Sequence, residues 1–483
     1  MRSRTFHSVV WTGIERFGTQ AFQVVFSIIL ARLLMPEDYG LVALVFVFLM
    51  IGWILMDGGL PLALMRKKNP TESDFSTVFW FNLGFGISLY TIFFFCAPLI
   101  ARFFDQSILI PILRIAGLNV ILWALATIHA TKLDIALNFK RQAYITISAM
   151  LVSGFLGIWL AFSGYGVWAL VFQFLSNNLL RAILLWTFGI RWYPRLIFCF
   201  ASFKSLFNFG YKFMLTNLLD TIYKNMFAVF IGRFYALKEL GFFQKANSLT
   251  NLLTTNISYT VGRSFIPLQT SLSDDPAEQR KSFDRFLSLN CFIVFPIAIL
   301  FAILAEPFVA FVLTERWLPA VPFIQVLSLS YIWYPILVLN RQLLLSRGFS
   351  KQNLMIDIIA KTLGVAAFLI ALPHGILWIC VSIGFYAILD MTLSMIFVKR
   401  YVNIRIIEQV KIVAPTFGLA VLSGIVAFFV CRGVLQYALA SDFLQLLFGG
   451  LAGLGVYALG AHLLKFNEWK FMLNYLKFTK TQD

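Results

Sequence analysis

Apolar residues fill the chain in long blocks interrupted by short polar breaks. A bilayer-crossing helix needs about 20 mostly apolar residues. That window predicts spans near 8–34, 39–60, 75–100, 112–133, 142–163 and 165–188. A second series falls near 204–236, 242–264, 284–304, 321–345, 352–372 and 375–398, and a final pair near 411–431 and 441–464. The breaks carry turn chemistry: PEDYG at 36–40, SGYG at 163–166 and PHG at 373–375. Between 305 and 321 the pattern weakens, because Pro307, Pro319 and Pro322 interrupt it. The expectation is an all-α polytopic membrane protein of about 14 transmembrane helices. Residues 1–190 and 191–400 form two six-helix lobes. Residues 401–483 add two helices and a basic cytoplasmic tail.

Composition excludes the alternatives. Of 483 residues 60% are hydrophobic and 13% charged, and the 53 Phe are spread over the whole length. Soluble domains carry about 25% charged residues, so a water-soluble globule is ruled out. The N-terminal stretch runs past twenty residues and contains Glu15 and Arg16. It reads as a retained first span rather than a cleavable signal. Five cysteines lack any CxxC spacing and the four histidines are far apart. They read as buried hydrophobes and isolated residues, and nothing calls for a metal or another cofactor.

The net charge of +17 first suggests nucleic acid, but its distribution assigns it to topology. With the N-terminus inside, 26 of the 39 Lys and Arg fall on inner segments, among them Arg66-Lys67-Lys68, Lys140-Arg141, Arg341 with Arg347 and Lys399-Arg400. Only six lie outside. This is the positive-inside pattern with both termini cytoplasmic, and nucleic acid drops out as a partner.

The chain also echoes itself. FSIILARLLMPEDYG (26–40) and FAVFIGRFYALKELG (227–241) superpose under a shift of 201 residues, matching Phe26 with Phe227, Arg32 with Arg233, Asp38 with Glu239 and Gly40 with Gly241. Six spans per half bring both halves in from the same side, so the repeat is parallel.

Any chemistry must come from polar residues inside the spans, where an ionised group costs about 2.5–3.5 kcal/mol and needs a partner or a water-filled cavity. Glu15 and Arg16 lie in the first span, Lys212, Asp220 and Lys224 in the seventh, Lys245 in the eighth, and Asp357 and Lys361 in the eleventh. Asp57 and Asp390 are nearer span ends. Lys212, Thr216, Asp220 and Lys224 follow at i, i+4, a stripe about 18 Å long on one helix face. Arg16, Lys212, Lys224, Lys245 and Lys361 are the candidates for an anionic substrate. Glu15, Asp220, Asp357 and Asp390 are candidates for a coupling proton or sodium ion, or for charge pairing. Self-neutralising structural pairs at 220/224 and 357/361 remain an open alternative.

Four segments carry a family resemblance: LARLLMPEDYGLVAL (30–44), MDGGLPLALMRKKNPTESDFSTVFWFNLG (56–84), LDIALNFKRQA (133–143) and GYGVWALVFQ (164–173). They resemble polysaccharide transporters of the Wzx or WzxC type, within the multidrug/oligosaccharidyl-lipid/polysaccharide exporter superfamily. The resemblance is densest over the first 190 residues. It implies a flippase that moves undecaprenyl-pyrophosphate-linked oligosaccharide across the bacterial inner membrane for surface polysaccharide or lipopolysaccharide, by alternating access around a cationic cavity. Lipid-linked oligosaccharide and membrane lipids are the implied partners, together with polysaccharide polymerase or export machinery. The rivals are a multidrug or organic-cation exporter, which predicts an acidic cavity, and a membrane glycan polymerase or ligase, which needs larger outer loops.

Overall fold

The computed structural model describes residues 2–272, 275–436 and 441–471, with side chains from residue 18 onward except 263, 264 and 434–436. Helices dominate and no strand occurs among the described residues. The chain divides into two compact units, Met1–Gly241 and Phe242–Asp483.

The first unit holds α1 (Arg2–Leu33), α2 (Pro36–Asp57), α3 (Leu60–Arg66), α4 (Glu72–Phe103), α5 (Leu109–Ile135), α6 (Phe139–Phe162), α7 (Val167–Phe188) and α8 (Phe200–Phe234). From α9 (Leu237–Leu253) the chain passes to α10 (Thr255–Ser271), α11 (Pro276–Ile303), the short α12 (Ala305–Phe308), α13 (Val321–Tyr331) and α14 (Tyr334–Ser346). It ends with α15 (Ser350–Ala371), α16 (Ile376–Val402), α17 (Ile406–Gln436) and α18 (Asp442–Leu463). The proline-broken stretch predicted around 305–321 is a π-helical turn at Val309–Leu313 followed by a 3₁₀ turn at Glu315–Ala320.

Eleven helical stretches among the described residues are long and apolar enough to cross a membrane, against the fourteen expected. Two of the three missing spans have physical reasons. For the first span, the described side chains begin at Gly18, and Gly18–Leu33 is apolar. α8 carries Lys204, Lys212, Asp220, Lys224 and Arg233. The predicted eighth span breaks into α9 and α10 at Thr254, where Thr250, Thr254 and Ser258 each turn a hydroxyl back onto the carbonyl four residues earlier, at 2.8, 2.7 and 3.2 Å. Such back-bonding bends helices.

Helices in lipid associate through close packing and internal hydrogen bonds rather than through expulsion of water. In the first unit the Asn178 amide donates to Asn119 Oδ1 at 2.8 Å, and the Trp123 indole donates to Asn178 Oδ1 at 3.0 Å, tying α5 to α7. The segment after α7 is stitched to α4 and α5. Arg195 N donates to Ser76 Oγ, Cys199 N to Thr77 Oγ1 and the Trp80 indole to Arg195 O, while His129 Nε2 lies 3.1 Å from Trp192 O. In the second unit Phe265, Phe283, Phe295, Leu339, Leu343 and Ile356 are fully buried in one apolar cluster.

Backbone meets backbone at two places that only glycine allows. Gly59, at φ 70°, lies where a Cβ would come within 2.3 Å of Gly210 O. This contact explains the GG of the MDGGLP segment: α8 crosses directly over the α2–α3 bend. At the second place a Cβ on Gly40 would meet Leu237 O at 2.2 Å, and one on Gly241 would meet Pro36 O at 1.9 Å. The 201-residue shift exchanges these contacts, since Gly40 maps to Gly241 and Pro36 to Leu237.

Gly241→Ala should therefore destabilise the chain by about 1–3 kcal/mol, the cost of overpacking a tight contact. The check is the apparent Tm of detergent-purified protein. Gly455→Ala, where nothing lies within 4 Å of the added methyl, is the control and should leave Tm unchanged or raise it.

Candidate functional site

Three helices of the second unit converge on a buried guanidinium. α14 places Arg341 there. α15 presents Asn353, Asp357 and Lys361 at successive i, i+4 positions and hence on one face. α16 presents Tyr386 and Asp390 with the same spacing. Arg341 Nε and Nη2 donate to Asp390 Oδ1 at 3.0 and 2.5 Å. Nη2 also donates to Asp357 Oδ1 at 3.0 Å. Nη1 donates to the carbonyl and the side-chain oxygen of Asn353 at 2.8 and 3.1 Å. A guanidinium has five N–H donors, and these five bonds use the whole set. Lys361 Nζ donates to the other oxygen of Asp357 at 3.0 Å, and the Tyr386 hydroxyl lies 3.4 Å from Asp390 Oδ2.

Exposure falls off across this quartet. The Asp357 and Lys361 side chains are 37% and 22% exposed, whereas Arg341 and Asp390 are 11% and 5% exposed. One end of the cluster is open and the other sealed.

The other predicted residues lie elsewhere. On α8, Lys212 is exposed and Thr216 Oγ1 donates to Lys212 O at 3.0 Å. Lys224 Nζ lies 2.7 Å from Asp220 Oδ2, an exposed i, i+4 pair. The only buried residues of α8 are Leu206 and Gly210 toward one end and Ala228, Ile231 and Gly232 toward the other. The charged stripe thus lies between the buried residues at the two ends of the helix, on turns that are half-buried or exposed. Lys245 on α9 is buried, with Nζ 5.9 Å from the ring centre of fully buried Trp317. The side chains of Glu15 and Arg16 lie outside the described residues. No group of three or more His, Cys, Asp or Glu able to hold a metal occurs among the described residues.

Arg341 corrects the sequence-based expectation. From sequence it falls with Arg347 on an inner segment; in the structure it lies inside α14 as the hub of the cluster. The available signal was depth. Arg341 lies four residues from the end of the tenth predicted span, Asp357 five from the start of the eleventh and Asp390 eight from the end of the twelfth. Antiparallel neighbours put all three on the same side, within about 12 Å of it. Asp57, also noted from sequence, accepts from Gly59 N at 3.2 Å and caps the α2–α3 bend.

Comparison with known proteins gives this helical architecture a family. The family model described as "Polysaccharide biosynthesis protein" matches residues 29–322. The chain belongs to that family. The teichuronic acid biosynthesis protein TuaB of Bacillus subtilis (strain 168) is 24% identical over 340 residues, 70% of each chain. The lipopolysaccharide biosynthesis protein WzxC of Escherichia coli (strain K12) is 22% identical over 332 residues, covering 68% of this chain and 67% of that one. The succinoglycan biosynthesis transport protein ExoT of Rhizobium meliloti (strain 1021) is 25% identical over 325 residues, covering 67% and 65%. Among solved structures, the lipid II flippase MurJ in an inward closed conformation aligns with TM-score 0.76 at 15% identity over 94% of this chain and 98% of that one. An inward-facing multidrug resistance MATE family transporter aligns with TM-score 0.61 at 15% identity over 82% and 99%. The fold is shared with these flippase and transporter structures, and the chain is a multi-pass membrane protein of the polysaccharide biosynthesis family.

Removing one partner of a buried ion pair costs about 3–5 kcal/mol, because the other charge is left uncompensated. Arg341→Met should lower the apparent Tm accordingly. Adding Asp390→Asn to Arg341→Met should recover more than half of the loss, since Asp357 keeps Lys361. Thermal unfolding of the single and double variants in one detergent checks both.

Proposed function

We propose that this chain is a flippase for a lipid-linked saccharide carried on a pyrophosphate, with undecaprenyl as the lipid. It moves the saccharide across the bacterial inner membrane toward surface polysaccharide or lipopolysaccharide assembly. The observation that carries this reading is the exposed basic stripe on α8 in a member of the polysaccharide biosynthesis family. Lys212 and Lys224 stand among exposed Phe213, Leu215, Leu219 and Ile222. Ammonium groups held in such apolar company need water or an anion beside them.

A sugar pyrophosphate cannot cross hydrocarbon unaided, whereas its polyprenyl tail never has to leave it. Lys212, Lys224 and Lys361, with Arg16 and Lys245, are the cations that offset the diphosphate charge in this reading while the tail remains in lipid. Counting Glu15, Asp220 and Asp357 against these five gives an excess of two cations, and adding the Arg341–Asp390 pair leaves that excess unchanged. An organic-cation exporter calls for the opposite sign. The lobes 1–190 and 191–400 alternate access, both termini face the cytoplasm, and a proton or sodium gradient drives the cycle through Glu15, Asp220, Asp357 or Asp390. Polymerase or export machinery takes the product.

Purified chain in liposomes should deliver fluorescent polyprenyl-pyrophosphate-linked saccharide to the opposite leaflet, read as quenching by a membrane-impermeant reductant. Lys212→Gln with Lys224→Gln should cut the initial rate at least about tenfold, the worth of one or two charge-assisted hydrogen bonds. Wild-type vesicles no faster than empty ones would overturn the reading.

A further inference from the structure

We propose that Asp357 is a built-in competitor for the anion: an arriving phosphate oxygen takes Lys361, and Arg341 keeps the displaced carboxylate in place. This deepens the reading above and rests on the cargo being anionic.

The carboxylate of Asp357 is divided between two cations. One oxygen accepts from Lys361 Nζ and the other from Arg341 Nη2, both at 3.0 Å. Losing Lys361 therefore does not strand Asp357 without a cation, because the guanidinium still holds it. Arg341 cannot itself serve as the ligand, since Asp390, Asp357 and Asn353 consume its five donors. A lysine is suited to the exchange: its ammonium has three donors on a flexible stem and can swing between acceptors. The exposure gradient fixes the direction, because Asp357 and Lys361 form the open end and Arg341 with Asp390 the sealed one.

Asp390, Arg341 and Asp357 thus have separate roles. Asp390 neutralises the hub, the hub anchors Asp357, and Asp357 occupies the ammonium until a stronger anion arrives. Arg341 is a positioning residue that acts through Asp357. Because the resting quartet contains two acids and two bases, it is neutral without any bound ion. An arriving anion therefore competes with Asp357 for the ammonium's charge, which favours a multiply charged pyrophosphate over a weak anion.

The test uses full-length chain in vesicles with the same fluorescent polyprenyl-pyrophosphate-linked saccharide, varying its mole fraction to separate KM from kcat. Wild-type transport establishes the parent reading independently. Within that system, Lys361→Gln should raise KM at least about tenfold, and Lys361→Arg should restore it. Asp357→Asn removes the competitor and should lower KM. The double variant Asp357→Asn with Lys361→Gln should stay as weak as Lys361→Gln. Arg341→Lys should raise KM with Lys361 intact, and adding Asp357→Asn should relieve that rise. A merely self-neutralising pair predicts the reverse, with both single changes harmful and the double neutral variant restored. That outcome, or an unchanged or raised KM for Asp357→Asn, overturns the proposal. Asp357→Asn carries the test alone if Lys361→Gln fails to fold.

Discussion

An ionised side chain surrounded by hydrocarbon must find its counter-charge inside the protein, and in the second unit that requirement fixes three helices at once. The Arg341 guanidinium has five donors, and four acceptor atoms on α15 and α16 take all of them, Asp390 Oδ1 accepting twice. A planar fork accepts partners only along fixed directions. The rotation of α15 about its axis and the register of α16 beside α14 are therefore coupled to one residue. Apolar contacts alone would tolerate small slips, because a face of Leu and Ile offers many near-equivalent fits. The polar hub does not.

The first unit meets the same lack of hydrophobic driving force differently. There the constraints are backbone proximity and neutral hydrogen bonds: Gly59 against Gly210, Gly40 and Gly241 against opposing carbonyls, and the Asn119–Asn178–Trp123 chain between α5 and α7. α8 shows what this arrangement permits. It is gripped near Gly210 and again from Ala228 to Gly232, leaving the turns between without a buried residue. A helix buried at its ends and only half-buried between them can hold charge mid-helix without burying it fully.

Much of this was legible in the sequence. Block length and turn residues placed most helices to within about five residues, but α11 starts eight residues before its predicted span and the tenth predicted span is the two helices α13 and α14. The echo under a 201-residue shift matches Gly40 with Gly241 as equivalent positions, but not their close approach. Two errors share one cause, namely reading each span by itself. Arg341 reads as a loop cation because it lies near a span end, and only the joint depth of residues 341, 357 and 390 reveals the cluster. The eighth predicted span reads as continuous because its apolar content is adequate; the break at Thr254 comes from hydroxyls bonding their own helix, which hydropathy does not weigh. Lys361 and Asp357 were identified as an i, i+4 pair, but the second cation on Asp357 comes from another helix and is invisible to spacing.

The two charged regions of the described chain differ in what an ion pair can do. Asp220 and Lys224 are both exposed, and such pairs contribute little stability because solvent screens them and side-chain entropy opposes them. A weak pair holds its lysine loosely, so solvent and neighbouring groups set the geometry of the charges on α8 as much as the pair does. At the α14–α16 cluster the balance is reversed: a guanidinium whose five donors are all bonded fixes the sealed half. A screened pair along one helix and a saturated guanidinium between three differ in rigidity because of the way their own helices are held.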